Sequence, residues 1–283
     1  MPYSPAALAQ YLLPKTALTQ FVGYLARARG GAATTWAIGR FIARYGVDMS
    51  EAADPDPAHY ATFNDFFTRP LRANARPLAQ ADYLCPVDGA ISQFGDIEAG
   101  QIFQAKGHTY SVQTLLAGDA RLAAPFVNGQ FATLYLSPRD YHRIHMPCAG
   151  RLTQMIHVPG TLFSVNPATA RAVPGLFARN ERVICLFDTA RGPLALVLVG
   201  ATIVGSMATV WHGVVNPPRP GQMRRWTYDG QSIELTQGAE LGRFLLGSTV
   251  IALWPPDTLR FSPHWSPSAT VRMGQALDTT DDT

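Results

Sequence analysis

Hydrophobic and polar residues follow two different rhythms in this chain, one before about residue 47 and another after about residue 83. In the first stretch Leu8, Tyr11 and Leu12 follow Ser4-Pro5 and stop at Pro14. Leu18, Phe21, Val22 and Leu25 then repeat the three- and four-residue spacing, as do Ile38, Phe41, Ile42 and Tyr45 after Gly30-Gly31. That spacing puts the apolar residues on one helical face, so it predicts three short amphipathic helices. Asp48 to Arg76 reads as a polar connection with a short helical portion at Phe63 to Phe67. From Tyr83 the apolar runs are short and bounded by turn residues, which predicts strands. One covers Phe131 to Leu136 and ends at Ser137-Pro138-Arg139-Asp140. Another covers Leu152 to Val158, and Val183 to Phe187 pairs with Leu194 to Val199. Leu194 to Trp211 is uncharged, but Gly200, Gly205 and Ser206 interrupt it, so it predicts two buried strands rather than a transmembrane helix. Phe244 to Trp254 predicts a single buried strand with Gly247-Ser248 in its middle, where a glycine marks a bulge or a close approach to the backbone. Asp278 to Thr283 reads as a frayed acidic tail. The fold class is therefore α+β: a helical region and connection over 1–76, and a mainly antiparallel β core over 77–283.

Composition changes this picture only in part. With 283 residues, 47% of them hydrophobic, the chain can bury a substantial core. Charged residues are 15%, and 22 prolines and 24 glycines favour many short elements. Cys85, Cys148 and Cys185 show neither a CxxC nor a paired spacing, so they read as buried thiols rather than as a disulfide framework or a zinc site.

The net charge of +3 is unevenly placed. Residues 1–47 contain Lys15, Arg27, Arg29, Arg40 and Arg44 and no Asp or Glu, so the rest of the chain is slightly acidic. A basic amphipathic segment suits an anionic membrane surface, and it equally suits a helical subdomain packed on the core. No basic region precedes the first apolar residues and Pro14 cuts them short, so a secretory signal is not expected. Nucleic acid is not an expected partner.

Candidate chemistry lies in three places. Ser248 directly follows a glycine. His142 and His145 fall just after a strand, facing opposite ways if the chain is extended and sharing a face if it turns. No HExxH or third ligand accompanies them, so no metal is expected. Asp88-Gly89 is the third feature, and by pattern alone it is a good turn. The chain has no GxGxxG and no GxxxxGK[ST].

Taken together the motifs PVDGAIS at 86–92, AKGHTYS at 105–111, YLSPRDYHRIHMP at 135–147, VPGTLFSVN at 158–166, LFARNERVICLFDT at 176–189 and LGST at 246–249 resemble the bacterial phosphatidylserine decarboxylases, over nearly the whole chain. The resemblance implies a proenzyme that cuts itself at Gly247-Ser248 into a β chain, 1–247, and an α chain, 248–283. In that chemistry His145 takes the Ser248 hydroxyl proton, and Asp88 holds the imidazole tautomer and stabilises its cation. An N-to-O acyl shift, elimination and hydrolysis convert Ser248 into a covalent pyruvoyl cofactor, which decarboxylates phosphatidylserine to phosphatidylethanolamine through a Schiff base. His142 is the expected proton donor in that second reaction, and Asp140 a further carboxylate near His145. Lys106, Arg139 and Arg143 are candidates for the headgroup. The resemblance also implies a barrel-sandwich type of core, a homodimer, and peripheral attachment to the cytoplasmic side of the cell membrane through the N-terminal helices. The alternatives are a membrane-associated serine hydrolase using Ser248, His145 and Asp88 in an uncut chain, though GxSxG is lacking, and a non-catalytic membrane-binding module.

Overall fold

The structure is a computed structural model that describes residues 14–202, 206–217, 219, 221–246 and 249–279. The helix expected between Ser4 and Leu12 lies outside these residues. The next two are present as α1 (Lys15–Arg27) and α2 (Ala32–Tyr45), and the short helix α3 (Phe63–Phe67) stands where expected. Gly46, at φ 67°, ends α2 in the left-handed region that glycine enters without a Cβ penalty. Thr62 and Asp65 close a reciprocal capping box on α3.

Among the described residues the strands are β1 (Gly89–Asp96), β2 (Gln101–Ala105), β3 (His108–Ser111), β4 (Gln130–Tyr135), β5 (Arg143–His145), β6 (Gly150–Val158), β7 (Arg182–Thr189) and β8 (Gly192–Val199). They continue with β9 (Met207–Thr209), β10 (Gly213–Asn216), β11 (Arg224–Thr227), β12 (Glu234–Leu235), β13 (Glu240–Phe244), β14 (Thr249–Trp254) and β15 (Thr270–Val271). An antiparallel sheet runs in the order β11-β6-β7-β8-β14-β4-β1-β15, with β12 also paired to β6. Among the described residues its two edges do not meet. The core is an open sheet, not the barrel type that the resemblance implied. A smaller sheet, β10-β9-β13-β5, packs against one face, and the β2–β3 hairpin and several helical turns cover the other.

Covering both faces explains why the central strands read as continuous apolar runs. In β14 Val250 and Ala252 point into one cluster with Leu134, Leu198 and Val183. Ile251 and Leu253 point into the other with Val197, Ile184 and Ile156. Each large side chain so buried contributes roughly 1.5–3 kcal/mol relative to exposure. A third, smaller cluster holds Ile38 of α2 and Phe66 and Phe67 of α3, with Leu246 packed against it.

Three expectations need correction. The run 244–254 is not one strand, because β13 ends at Phe244 in the small sheet and β14 begins at Thr249 in the large one. Asp88-Gly89 is not a free turn. Gly89 opens β1, and a Cβ there would lie 2.3 Å from the Tyr135 carbonyl oxygen, so glycine is required by the close approach of β4. Asp278 is not frayed, since it is buried, accepts the Tyr83 N–H and bridges to Phe261.

Candidate active site

Two ladders bring the chemistry-bearing segments to one end of the large sheet. Ala90, Tyr135 and Thr249 are neighbours in register across β1, β4 and β14. In the small sheet β13 runs antiparallel to β5, with Glu240 opposite His145, and the Phe244 N–H continues the pairing to the His142 carbonyl at 3.0 Å. The residues on either side of Gly247-Ser248 are thus tied to the two ends of one segment, 135–145. Gly247 and Ser248 themselves lie outside the described residues.

The extended form of that segment separates the two histidines. His145 donates from Nδ1 to the Gly238 carbonyl at 2.8 Å, which leaves Nε2 as the acceptor for the Tyr141 hydroxyl at 3.1 Å. A carbonyl can only accept, so these two bonds select the tautomer with a basic Nε2. Burial lowers His145 below the ordinary imidazole value, and it opposes the partial compensation from Gly238 and Glu240. Burial also raises the Tyr141 phenol, which therefore stays a donor.

His142 points the other way, fully buried against the Phe67 ring with centroids 4.1 Å apart. It donates from Nδ1 to the Asp140 carbonyl at 2.7 Å, while Nε2 has no partner among the described residues. Burial pushes it down to about 3. The expected proton donor is thus a neutral imidazole whose single proton is turned away from its bare nitrogen.

Asp88 is held differently from the expected triad. Arg76 Nε donates to both carboxylate oxygens at 3.0 and 3.1 Å, and the Met273 N–H donates at 2.9 Å. Arg76 also pairs with Glu51, which is shared with Arg272. Although burial opposes its charge, the two carboxylates raise Arg76 above the ordinary guanidinium value. The His145 ring is therefore oriented by Gly238 and Tyr141, while Asp88 reaches it through its field from the adjoining segment, whose Pro86 carbonyl accepts the His145 N–H at 2.8 Å. Asp140 accepts the Ser137 N–H at 2.7 Å and closes the turn after β4. Burial raises its carboxyl above the usual range.

Arg76, Tyr141, Gly238 and Glu240 were not singled out by sequence. Of them only Tyr141 carried a local signal, four residues before His145 in a quoted motif. Of the expected headgroup cations, Arg143 is committed to Glu240 and the Thr68 carbonyl. Lys106 and Arg139 line a cleft of about 390 Å³ beside Tyr135. The thiols are free, with Cys85 and Cys185 buried, and burial raises all three, which suits packing rather than reactivity.

Comparison with known proteins gives a consistent result. The family model described as phosphatidylserine decarboxylase matches residues 63–278, and a second, described as PSD, matches residues 5–46. A phosphatidylserine decarboxylase proenzyme of Azoarcus sp. (strain BH72) is 70% identical over 96% of this chain and 94% of its own length. Proteins of the same name from Variovorax paradoxus (strain S110) and Verminephrobacter eiseniae (strain EF01-2) are 68% and 65% identical, over 96% and 98% of both chains. With a family model spanning most of the core and relatives this similar along nearly their full length, the chain belongs to the phosphatidylserine decarboxylase family.

Proposed function

We propose that this protein decarboxylates phosphatidylserine to phosphatidylethanolamine after cutting itself at Gly247-Ser248. The observation that carries the reading is the bracketing of that bond: Phe244 is held to His142 and Thr249 to Tyr135, at the two sides of a segment that also presents a basic imidazole nitrogen. A general base must be unprotonated and must offer its lone pair, and a neutral His145 meets both conditions at Nε2.

In this reading His145 Nε2 exchanges the Tyr141 hydroxyl for that of Ser248 and takes its proton. The Ser248 oxygen attacks the Gly247 carbonyl, the C–N bond breaks as the His145 imidazolium returns that proton to the Ser248 nitrogen, and an ester with a free amine forms. Loss of the Ser248 α-proton expels the Gly247 carboxylate and leaves dehydroalanine, which adds water and releases ammonia. Asp88, kept ionised by Arg76, lowers the energy of the imidazolium formed on the way.

The surroundings fit a carbonyl-bearing prosthetic group at residue 248. Thr249 Oγ1, on the adjoining residue, and His142 Nε2 are both buried and have no partner among the described residues. When present, the pyruvoyl group supplies an electrophile for the substrate amine and a sink for the electrons released as carbon dioxide departs. With Nδ1 committed to Asp140, His142 delivers a proton to the substrate carbon only after acquiring one at Nε2.

The lipid substrate is approached through the N-terminal helices. α1 turns Thr19 and Ala26 inward and leaves Phe21 and Tyr24 61% and 68% exposed, and Trp36 of α2 is 69% exposed. This is the reverse of a packed amphipathic helix, and an apolar face beside Arg27 and Arg40 suits an anionic bilayer surface. No described helix is long and apolar enough to cross a membrane.

Intact-mass measurement of the purified protein tests the reading. Two chains, the smaller beginning at residue 248 without a normal amino terminus, are expected from the native sequence, and one uncut, inactive chain from Ser248→Ala. A single uncut native chain that turns over phosphatidylserine, or that hydrolyses esters, would remove the proposed chemistry.

A further inference from the structure

Arg69 differs from the other charges around the site. It follows α3, is 4% exposed, and lies over the Phe66 ring at 5.3 Å. Among the described residues its guanidinium makes one hydrogen bond, a long one from Nη2 to the Arg139 carbonyl at 3.4 Å, and Nε has no acceptor. The carboxylates nearby are engaged elsewhere. Glu51 lies between Arg76 and Arg272, Asp88 holds Arg76 and the Met273 N–H, Asp140 holds the Ser137 N–H, and Asp48 holds the N–H and hydroxyl of Ser50. A buried cation without a counter-charge is unfavourable unless an anion completes it. Burial lowers Arg69 below the ordinary guanidinium value, against only partial compensation from Tyr60 and from the fields of Asp88, Glu51 and Asp140.

Arg69 lines a pocket of about 310 Å³, whose wall also includes Tyr141, the carboxylates of Asp48, Glu51, Asp88 and Asp140, and the guanidinium groups of Arg76, Arg139 and Arg272 that pair with the last three. The pocket shares Gly89, Arg139, Asp140 and Thr270 with the cleft beside Tyr135. A ligand in the cleft beside Tyr135 therefore has a route to Arg69. The unpartnered Nε edge of a guanidinium matches two oxygens of a phosphate group.

We propose that Arg69 is the receptor for the phosphodiester of the lipid headgroup, a role that rests on the decarboxylase reading above. The headgroup offers a second anion, its carboxylate, but that group loses its charge as carbon dioxide forms. A dry cation on it would stabilise the ground state more than the transition state and slow the reaction. The phosphodiester keeps its charge throughout, so holding it anchors the substrate without opposing the chemical step.

The test separates binding from catalysis. On the uncut Ser248→Ala chain, glycerophosphoserine, inorganic phosphate and serine are titrated with and without Arg69→Met or Arg69→Lys. Saturable binding of glycerophosphoserine and phosphate is expected, weakened about 10-fold or more by Arg69→Met and less by Arg69→Lys. Serine should bind equally with either residue. Arg69→Met should also unfold at the same or a higher temperature than its parent, since it removes a buried charge that no described carboxylate contacts, and phosphate should raise the melting temperature of the parent alone. Equal phosphate affinity in both chains, no saturable binding to the parent, or an effect confined to serine would each overturn the assignment. So would a lower melting temperature of Arg69→Met together with unchanged phosphate binding, which is the pattern of a structural residue. Because none of these titrations uses the cut enzyme, they stand apart from native turnover. A native chain that decarboxylates phosphatidylserine while Arg69→Met binds phosphate normally would retire this proposal and leave the function intact.

Discussion

Replacing Tyr141 by Phe is the most informative single change, because it removes one hydroxyl from the nitrogen proposed as the base and alters little else. Tyr141 is buried and its O–H donates to His145 Nε2 at 3.1 Å, so in the uncut chain this bond must give way before Nε2 can take a proton. A neutral hydrogen bond of this kind contributes about 0.5–1.5 kcal/mol net. Losing it from the ground state should speed self-cleavage by roughly 2- to 12-fold at the pH plateau. The sign of the pH effect also follows. The native rate is lost as pH falls through the His145 value, which burial sets below the ordinary 6.5. A donor to the imidazole lone pair favours the neutral form, so its removal raises that value. The half-maximal pH should therefore move upward by about 0.4–1 unit in Tyr141→Phe. Cell-free translation with a labelled amino acid, followed by a chase at set pH and gel separation of the two chains, measures both effects, with His145→Ala as the uncut control. A Tyr141→Phe chain that cleaves more than tenfold slower at its plateau, or whose half-maximal pH moves down, would mean that the phenol takes part in the reaction and that the tautomer argument is wrong.

Three further outcomes are expected. His142→Ala should still yield two chains but slow decarboxylation by about 100-fold or more, the scale of a lost proton-transfer group. An uncut His142→Ala protein would sink its assignment to the second reaction. Arg76→Met strands the buried Asp88 and leaves Glu51 only Arg272, so it should destabilise the fold by about 3–5 kcal/mol in urea unfolding, and a loss under 1 kcal/mol would contradict the buried pairing. Substituting Phe21, Tyr24 and Leu25 together by Ser should leave the melting temperature within a degree or two, since all three are exposed. Sedimentation with phosphatidylserine vesicles should then fall by an amount consistent with about 1 kcal/mol or more for each side chain; unchanged sedimentation would remove α1 from the membrane reading.

Much of the scaffold was legible along the chain because its signals are local. The 3.6-residue spacing of Leu18 to Leu25 and Ile38 to Tyr45, the apolar runs of β4, β6, β7 and β8, and the pairing of β7 with β8 across a short turn need only near neighbours to be read. The Gly-Ser pair and the two histidines were legible as motifs for the same reason. Which way a helix faces was not, since α1 has the periodicity of a packed helix and yet exposes its large side chains.

The site depends on contacts that periodicity does not carry. Arg76 meets Asp88, His145 meets Gly238, and Arg69 meets the pocket beside Asp140 only when segments up to 93 residues apart are folded together. The apolar pattern of 244–254 runs straight across the passage from one sheet to another, because Phe244 and the residues of β14 are buried, and a hydrophobic run records burial rather than which partner provides it. Residue types thus determined which groups are available as base, nucleophile and carboxylate. Their tautomers, charge partners and directions were decided by the tertiary structure, because hydrogen bonding and desolvation depend on the atoms that surround a group and not on its neighbours along the chain.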